Sequence, residues 1–215
     1  MNKKVLVFCG AFNPPTVAHL HAAQLSLGAA QADALVWVPS KTDYVSDVQK
    51  KSILLDDNQK IKALNSMLVS MNGSRRPGCE NQYVSRFELD SPVQPKTIET
   101  LRYFQEKYPD CRFILVMGSD KLPELENGWA EVEELLHSFG IMVLQRGNDD
   151  VLSLISGDPF LSRHSDCISV VSSGIPEQML SATQVRKNIE EIRSLIQKTK
   201  EMVPPGAWEV VESAL

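Results

Sequence analysis

Short apolar runs alternate along this chain with longer stretches in which apolar residues recur at helical spacing. A continuous apolar run indicates a strand buried on both faces, whereas recurrence at every third or fourth position indicates a helix. The predicted strands are 5–9, 34–38, 83–89, 112–117, 140–144 and 167–171. The predicted helices are 17–30, 57–71, 97–108, 129–137 and 181–200, followed by a short helix after Pro205. Residues 41–56 are polar and irregular, and 72–82 have the composition of a loop.

Strands that alternate with helices in this way predict an α/β fold, with a Rossmann-like open, mostly parallel sheet and helices on both faces. We expect a single domain, 1–215, in which 181–215 form a C-terminal helical part. Ligands of such sheets bind beyond the carboxyl ends of the strands. The candidates for function are therefore the polar residues that directly follow strands, namely 10–19, 39–51, 118–120 and Arg146.

Composition excludes several classes of protein. The chain has 215 residues and a formal net charge of −5, which argues against general nucleic-acid binding. Its four cysteines are far apart and form no metal-binding pair, so we expect neither a disulfide framework nor a zinc site. No apolar run approaches the ~18 residues of a membrane span. We expect no secretory leader, because the sequence enters a strand pattern without the apolar segment of a signal peptide. The expected protein is cytoplasmic, without a nucleic-acid or membrane partner.

A first candidate site lies between the first strand and the first helix, where residues 10–19 read GAFNPPTVAH. Gly10 and Ala11 allow the backbone to approach a ligand closely. Thr16 stands at the helix entry, where a hydroxyl caps the helix or faces a phosphate. His19 follows one helical turn later and projects on the same side. A positive helix end beside an imidazole suits an oligophosphate, although an isolated pair of this kind is more often a capped helix with a packed histidine.

A second candidate site opens the long C-terminal helix, where residues 180–186 read LSATQVR. Ser181 and Thr183 offer hydroxyl and backbone N–H donors to an anion. Arg186 lies one turn beyond Thr183, and its guanidinium can fork onto phosphate oxygens. Alone, this segment is equally typical of a capped surface helix.

The first segment resembles the (T/H)xxH signature of the nucleotidyltransferase superfamily, and in particular the G-x-F-(N/D)-P loop of the nicotinamide/nicotinate mononucleotide adenylyltransferases. The second segment resembles that family's (I/L)-S-(S/A)-T-x-(V/I)-R signature. Three shorter segments also resemble patterns of this family. Residues 118–120 are similar to its G-(A/S)-D string, and residues 96–101 are similar to its T-x-(D/E)-T-L string. Trp129, with Leu135 and Leu136, resembles its W-x5-L-L helix. Ala11 and Ala182 are mild departures from the family pattern, and 72–82 resembles an insertion.

The resemblance implies roles for individual residues. The implied catalytic residues are His19, Thr16 and Arg186. The implied ATP-binding residues are Gly10, Ala11, Phe12, His19, Gly118, Asp120, Ser181, Thr183 and Arg186. The implied acceptor-binding residues are Asn13, Lys41, Thr97, Trp129 and Arg146, with Trp129 stacked on the pyridine ring. Because phosphate is already ionised at neutral pH, positioning and electrostatics dominate such a reaction.

The implied partners are ATP and a pyridine mononucleotide, and homo-oligomers occur among similar proteins. Mg²⁺ is the implied cofactor, held mainly by substrate phosphates, so we expect no dedicated protein metal cage. Three alternatives stay open: an adenylyltransferase with another phosphorylated acceptor such as phosphopantetheine, a non-catalytic nucleotide sensor of the same fold, and a dinucleotide oxidoreductase. The last is the weakest, because the first loop lacks G-x-G-x-x-G. The choice between an amide and an acid mononucleotide also stays open.

Overall fold

The computed structural model describes residues 2–72, 81–145, 149–172 and 182–212. Two of the predicted site residues, Arg146 and Ser181, lie outside these ranges. Within them the strands are β1 (Lys3–Gly10), β2 (Ala34–Pro39), β3 (Gln82–Val84), β4 (Cys111–Gly118), β5 (Ile141–Gln145) and β6 (Ile168–Ser172). These strands form one sheet in the order β3-β2-β1-β4-β5-β6, and every neighbouring pair is parallel. The predicted Rossmann-like sheet is thus confirmed.

Helices and turns connect the strands. The helices are α1 (Val17–Ala30), α2 (Thr42–Asp47), α3 (Asp57–Asn72), α4 (Phe87–Asp90), α5 (Thr97–Lys107), α6 (Leu125–Gly128), α7 (Val132–Glu134), α8 (Val151–Gly157), α9 (Pro159–Arg163), α10 (Ala182–Glu201) and α11 (Pro205–Glu212). Ser119–Glu124 and Ser165–Cys167 form 3-10 turns, and Leu135–Phe139 forms a π-helical turn. No helix within the described ranges combines the length and the apolar character needed to cross a membrane.

The sheet separates two hydrophobic cores, because successive side chains of a strand point to opposite faces. On β1, Val5 and Val7 enter one core together with Leu101 of α5. Leu6 and Phe8 enter the other core, which also contains residues of α1 and α3. Helices therefore cover both faces, as the apolar strand pattern predicted.

The prediction of a strand over 83–89 is wrong beyond its first residues. Only Gln82–Val84 pair with β2, and Phe87–Asp90 then form the short helix α4. The ring of Phe87 stacks on Tyr103 of α5 at a centroid distance of 3.9 Å. Helical turning also brings Glu88 and Leu89 inward together, which an alternating strand does not allow.

Other helices were missed or displaced. The predicted helix 129–137 starts only at Val132, because Glu131 takes a left-handed backbone (φ 49°) that interrupts it. The irregular segment 41–56 contains α2. Helices α8 and α9 were not predicted, although Asp150 and Asp158 cap them by accepting backbone N–H groups in their first turns.

The strand order reverses at β1, whose neighbours β2 and β4 connect in opposite directions. The crevice at such a switch point is where open α/β sheets bind ligands. Here it lies beyond Gly10 at the end of β1 and Gly118 at the end of β4. The loop 10–16 therefore lies at the expected ligand-binding position of the fold.

Candidate active site

The loop 10–16 starts from a closely packed turn at the end of β1. The carbonyl of Gly10 accepts a hydrogen bond from the Ser40 amide at 2.9 Å. A Cβ atom on Gly10 would lie 3.1 Å from the Phe12 ring, which leaves little space for any larger residue. Phe12 itself has a left-handed backbone (φ 42°), a conformation that costs a non-glycine residue about 1–2 kcal/mol. Burial of its ring offsets that cost.

The Phe12 ring is buried and anchors the loop 10–16 to the protein core. It is 1% exposed and packs against Trp37 and His19, each at a ring-centroid distance of 5.2 Å. A ring buried in this way offers no surface to a ligand. The sequence-based hypothesis that Phe12 lines the nucleotide site is therefore restricted to its backbone, and its side chain fixes the position of the imidazole.

The Thr16 and His19 side chains meet at the start of α1. Thr16 is the N-cap residue, and its backbone N–H donates to Nδ1 of His19 at 3.1 Å. The Thr16 Oγ1 atom lies 2.9 Å from the same nitrogen. Because Nδ1 accepts a hydrogen bond from an amide, the neutral ring carries its hydrogen on Nε2. The N-terminal turn of α1 thus prepares an N–H donor beside a positive helix end, which suits a phosphate.

Arg186 of α10 reaches the same loop from the other end of the chain. Its Nη1 donates to the Asn13 carbonyl at 2.7 Å, although the two residues are 173 positions apart in sequence. Its Nε donates to Ser52 Oγ and its Nη2 to Thr183 Oγ1, both at 3.1 Å. The residue is only 9% exposed. Burial lowers the pKa of the guanidinium from its ordinary value, while Glu190 opposes that change, and the group stays a cation at neutral pH.

Asn13 holds the adjoining segment rather than presenting its side chain to a ligand. Its Oδ1 accepts hydrogen bonds from the amides of Leu54 and Leu55, and its Nδ2 donates to the Leu55 carbonyl. The residue is 1% exposed. Asn13 thus fixes the segment that carries Ser52, and its carbonyl positions Arg186. The predicted acceptor-binding role of Asn13 is not supported by a side chain in contact with solvent and stays a prediction.

The two predicted helix beginnings thus meet at one loop. α1 contributes Thr16 and His19, and α10 contributes Thr183 and Arg186. The guanidinium contacts the residue that stands three positions before Thr16. An imidazole N–H, a guanidinium and two helix N-termini around one loop have the chemistry to bind a polyanion.

The end of β4 lies beside the loop 10–16. Gly118 ends the strand, and the Ser119 hydroxyl donates to Asp149 Oδ2 at 2.7 Å. Asp120 follows in the 3-10 turn and is exposed. Since β1 and β4 are neighbours, Gly118 and Asp120 lie at the same carboxyl edge as Gly10.

The predicted acceptor-side residues have structural partners of their own. Lys41 Nζ donates to the carbonyls of Leu89 and Ser91, at 2.7 and 2.8 Å, and so ties β2 to the turn after α4. Thr97 is the first residue of α5 and is half-buried. Trp129 is also half-buried and packs against the core on the α5 face of the sheet. Their contact with an acceptor stays a prediction.

A buried carboxylate next to Lys41 was not predicted. Glu88 is 2% exposed, and it accepts hydrogen bonds from Gln94 Nε2 and from Thr100 Oγ1. Burial raises the pKa of Glu88, and those hydrogen bonds only partly oppose it. Burial also raises the pKa of the Cys9 thiol well above its usual value, with a further contribution from the nearby Glu88 charge. Cys9 is thus a protonated thiol at neutral pH.

A buried lysine was also missed. Lys60 of α3 is fully buried, donates to the Ser40 carbonyl at 2.5 Å and pairs with Asp57 at 2.8 Å. The same Asp57 oxygen accepts from the Thr42 amide and hydroxyl. Burial raises the pKa of Asp57, but the hydrogen bonds from Lys60 and Thr42 outweigh it and hold the pKa below the ordinary value. This network fixes the end of β2 relative to α3.

The chain is similar to several known proteins. Residues 7–188 match the model of a family described as cytidylyltransferase-like. The chain is 27% identical over 209 residues to a probable nicotinate-nucleotide adenylyltransferase of Flavobacterium psychrophilum, covering 97% of this chain and 96% of the relative. It is 26% identical over 218 residues to nicotinamide/nicotinic acid mononucleotide adenylyltransferase 2 of Caenorhabditis elegans, covering 94% of each.

A solved structure shares the fold. The nicotinic acid mononucleotide adenylyltransferase of Plasmodium falciparum, complexed with NaAD, superposes with a TM-score of 0.64 at 19% identity. The match covers 86% of this chain and 83% of that one. At this identity the likeness concerns the fold.

Proposed function

This chain belongs to the cytidylyltransferase-like family, and from that premise we propose that it transfers the adenylyl group of ATP to nicotinate or nicotinamide mononucleotide, releasing pyrophosphate. The observation that carries the proposal is the hydrogen bond from Arg186 to the Asn13 carbonyl. It joins the start of α10 to the loop that precedes α1, so that the donors of both helices serve one site.

The reaction follows from these donors. The 5′-phosphate of the acceptor attacks the α-phosphorus of ATP in line, and the bond from that phosphorus to the bridging oxygen breaks. Charge builds on the leaving pyrophosphate, which Arg186 and the N-terminus of α10 stabilise. The His19 Nε2–H donates to the ATP phosphates, since Nδ1 is held by Thr16. No general base is required, because the attacking phosphate is already ionised.

Mg²⁺ is proposed as the companion of ATP. Arg186 is a cation and the His19 Nε2–H is a donor, so these side chains suit phosphate oxygens rather than a metal ion. The ion would therefore be held by the phosphates and by water, and it would neutralise charge between them. Thr97 and Trp129 are proposed to hold the pyridine nucleotide.

A substrate panel tests the proposal. Pyrophosphate release is measured with ATP and either nicotinate mononucleotide, nicotinamide mononucleotide or phosphopantetheine. We expect turnover with at least one pyridine mononucleotide and none with phosphopantetheine. Turnover with phosphopantetheine alone would reassign the acceptor. ATP binding without turnover on any of the three would identify a nucleotide sensor and contradict the transferase.

A further inference from the structure

A cluster of two histidines and one glutamate lies at the opposite edge of the sheet. Glu133 is in α7, His137 is in the following π-helical turn, and His164 caps the end of α9. His137 precedes the start of β5 and His164 precedes the start of β6, so the cluster lies at the amino edge of these strands. The phosphate site lies at the carboxyl edge, and the mechanism above uses none of these residues.

The geometry points to a binding site for a zinc-like divalent ion formed by Glu133, His137 and His164. One ligand atom from each residue lies within 4.8 Å of the other two. Glu133 Oε2 lies 2.7 Å from His164 Nε2 and 3.5 Å from His137 Nε2. Tetrahedral zinc with bonds near 2.0–2.1 Å separates its ligands by about 3.4 Å. The observed separations bracket that value, and small rotations of the two exposed side chains close the difference.

Both histidines have one ring nitrogen occupied by protein and the other directed at Glu133. The Nδ1 of His164 lies 2.9 Å from the Phe160 carbonyl and donates to it, which leaves Nε2 as the ligand atom. The Nδ1 of His137 lies 3.7 Å from Cys167 Sγ, and its Nε2 again faces the carboxylate. Such orientation of the second nitrogen by a protein partner is typical of metal-binding histidines.

The neighbouring charges leave Glu133 available to this site. Arg102 forms ion pairs with Glu131 and with Glu134, on either side of it. The Arg102 Nε bond to Glu134 is 2.8 Å long, so this pairing fixes the turn. Of these three glutamates, Glu133 is the one that faces the histidines.

The ligand set selects the class of ion. Two imidazole nitrogens and one carboxylate oxygen suit Zn²⁺ and similar transition metals, whereas Mg²⁺ and Ca²⁺ prefer oxygen alone. A water molecule would complete four-coordination. Because the cluster joins the turn after α7 to the end of α9, the bound ion would stabilise this edge. The expectation of no zinc site came from cysteine spacing, which carries no information about a Glu-His-His set.

Calorimetric titration of the full chain, stripped of metal with a chelator, tests the site with Zn²⁺. We expect one ion per chain, no competition from Mg²⁺, and at least about tenfold weaker binding in Glu133→Gln and in His137→Ala. Both side chains are 61% exposed, so these variants keep the fold. His21→Ala removes a histidine outside the cluster and should leave Zn²⁺ binding unchanged. At a free Zn²⁺ concentration of about 100 times Kd, the folding equilibrium of the wild type should shift about 100-fold towards the native state.

Co²⁺ provides a second readout, because four-coordinate Co²⁺ absorbs visible light more strongly than the hydrated ion. We expect this absorption in the wild type and in His21→Ala, and its loss in the two cluster variants. Absence of Zn²⁺ uptake overturns the proposal. So does Zn²⁺ binding that falls by less than tenfold in either cluster variant, since the ion would then sit elsewhere. Neither result depends on adenylyl transfer.

Discussion

Replacing Arg186 by lysine tests whether the guanidinium acts through its shape or only through its charge. The native group uses three nitrogens, one each for Asn13, Ser52 and Thr183. An ammonium is a point donor and can retain about one of these bonds. Each hydrogen bond to a charged group contributes about 1.5–3 kcal/mol, so the loss of two removes about 3–6 kcal/mol of local positioning energy.

Rearrangement of neighbouring groups in the variant offsets part of this lost positioning energy. We therefore expect kcat/KM for ATP to fall about 100-fold, the usual effect of losing one preorganised donor. The assay is pyrophosphate release with ATP varied at saturating acceptor, and circular dichroism confirms that the variant is folded.

Ser52→Ala is the matched control for this experiment. It removes only the partner of Nε and leaves the bond from Nη1 to Asn13 in place. Because it removes one of the three bonds rather than two, the fall in its kcat/KM should be clearly smaller than that of Arg186→Lys. If Arg186→Lys stays folded and retains kcat/KM within about threefold of the wild type, the guanidinium fork does not position the site.

Three further predictions concern single side chains. His19→Ala should lower kcat by about 100-fold or more in the same assay, because it removes a preorganised N–H donor, and a near-normal kcat would contradict its role. Asp57→Asn leaves the buried Lys60 ammonium without its counter-charge and should reduce the free energy of unfolding in urea by about 1–3 kcal/mol. Because the folded pKa of Asp57 is depressed, its contribution is present above its ordinary pKa and is lost as pH falls through the folded value. The variant should therefore lose less stability in acid than the wild type, and an equal loss would contradict this. Glu88→Gln places an amide N–H₂ group among hydrogen-bond donors, so it should reduce the free energy of unfolding in urea by about 1–3 kcal/mol.

The pH dependence of Glu88 has the opposite sign. Its folded pKa is raised by burial, so its contribution to stability is complete below the ordinary glutamate pKa and is lost as pH rises through the folded value. The Glu88→Gln variant lacks this titration. We expect the unfolding free energy of the variant to fall less than that of the wild type as the pH rises. Parallel curves of unfolding free energy against pH would contradict a raised pKa of Glu88.

Local relationships were predictable from sequence because they depend on helical periodicity. The Thr16–His19 pairing follows from a spacing of one turn at a helix start, and the sheet follows from its apolar runs. The strand prediction over 83–89 failed because three alternating residues look the same whether a strand continues or a helix begins. Phe87, at the start of the helix, stacks on Tyr103, a tertiary contact that the local pattern does not show.

Contacts between distant segments carry no such local signal. The bond between Arg186 and Asn13 was not predicted, and the serine that accepts from the guanidinium had no recognisable pattern. Only the shared ATP-binding role of the two helix beginnings was expected, through resemblance to a family. In the Glu133, His137 and His164 cluster, one pair lies at helical spacing. His164 lies near this pair only in the folded structure, so composition alone could not reveal the cluster.

A crystal structure with a non-hydrolysable ATP analogue bound shows whether both helix beginnings hold one triphosphate. We expect oxygens of that triphosphate within about 3.2 Å of both the His19 Nε2 and a nitrogen of Arg186. A triphosphate that contacts only one of the two helix starts, or that binds away from the loop 10–16, would contradict this expectation.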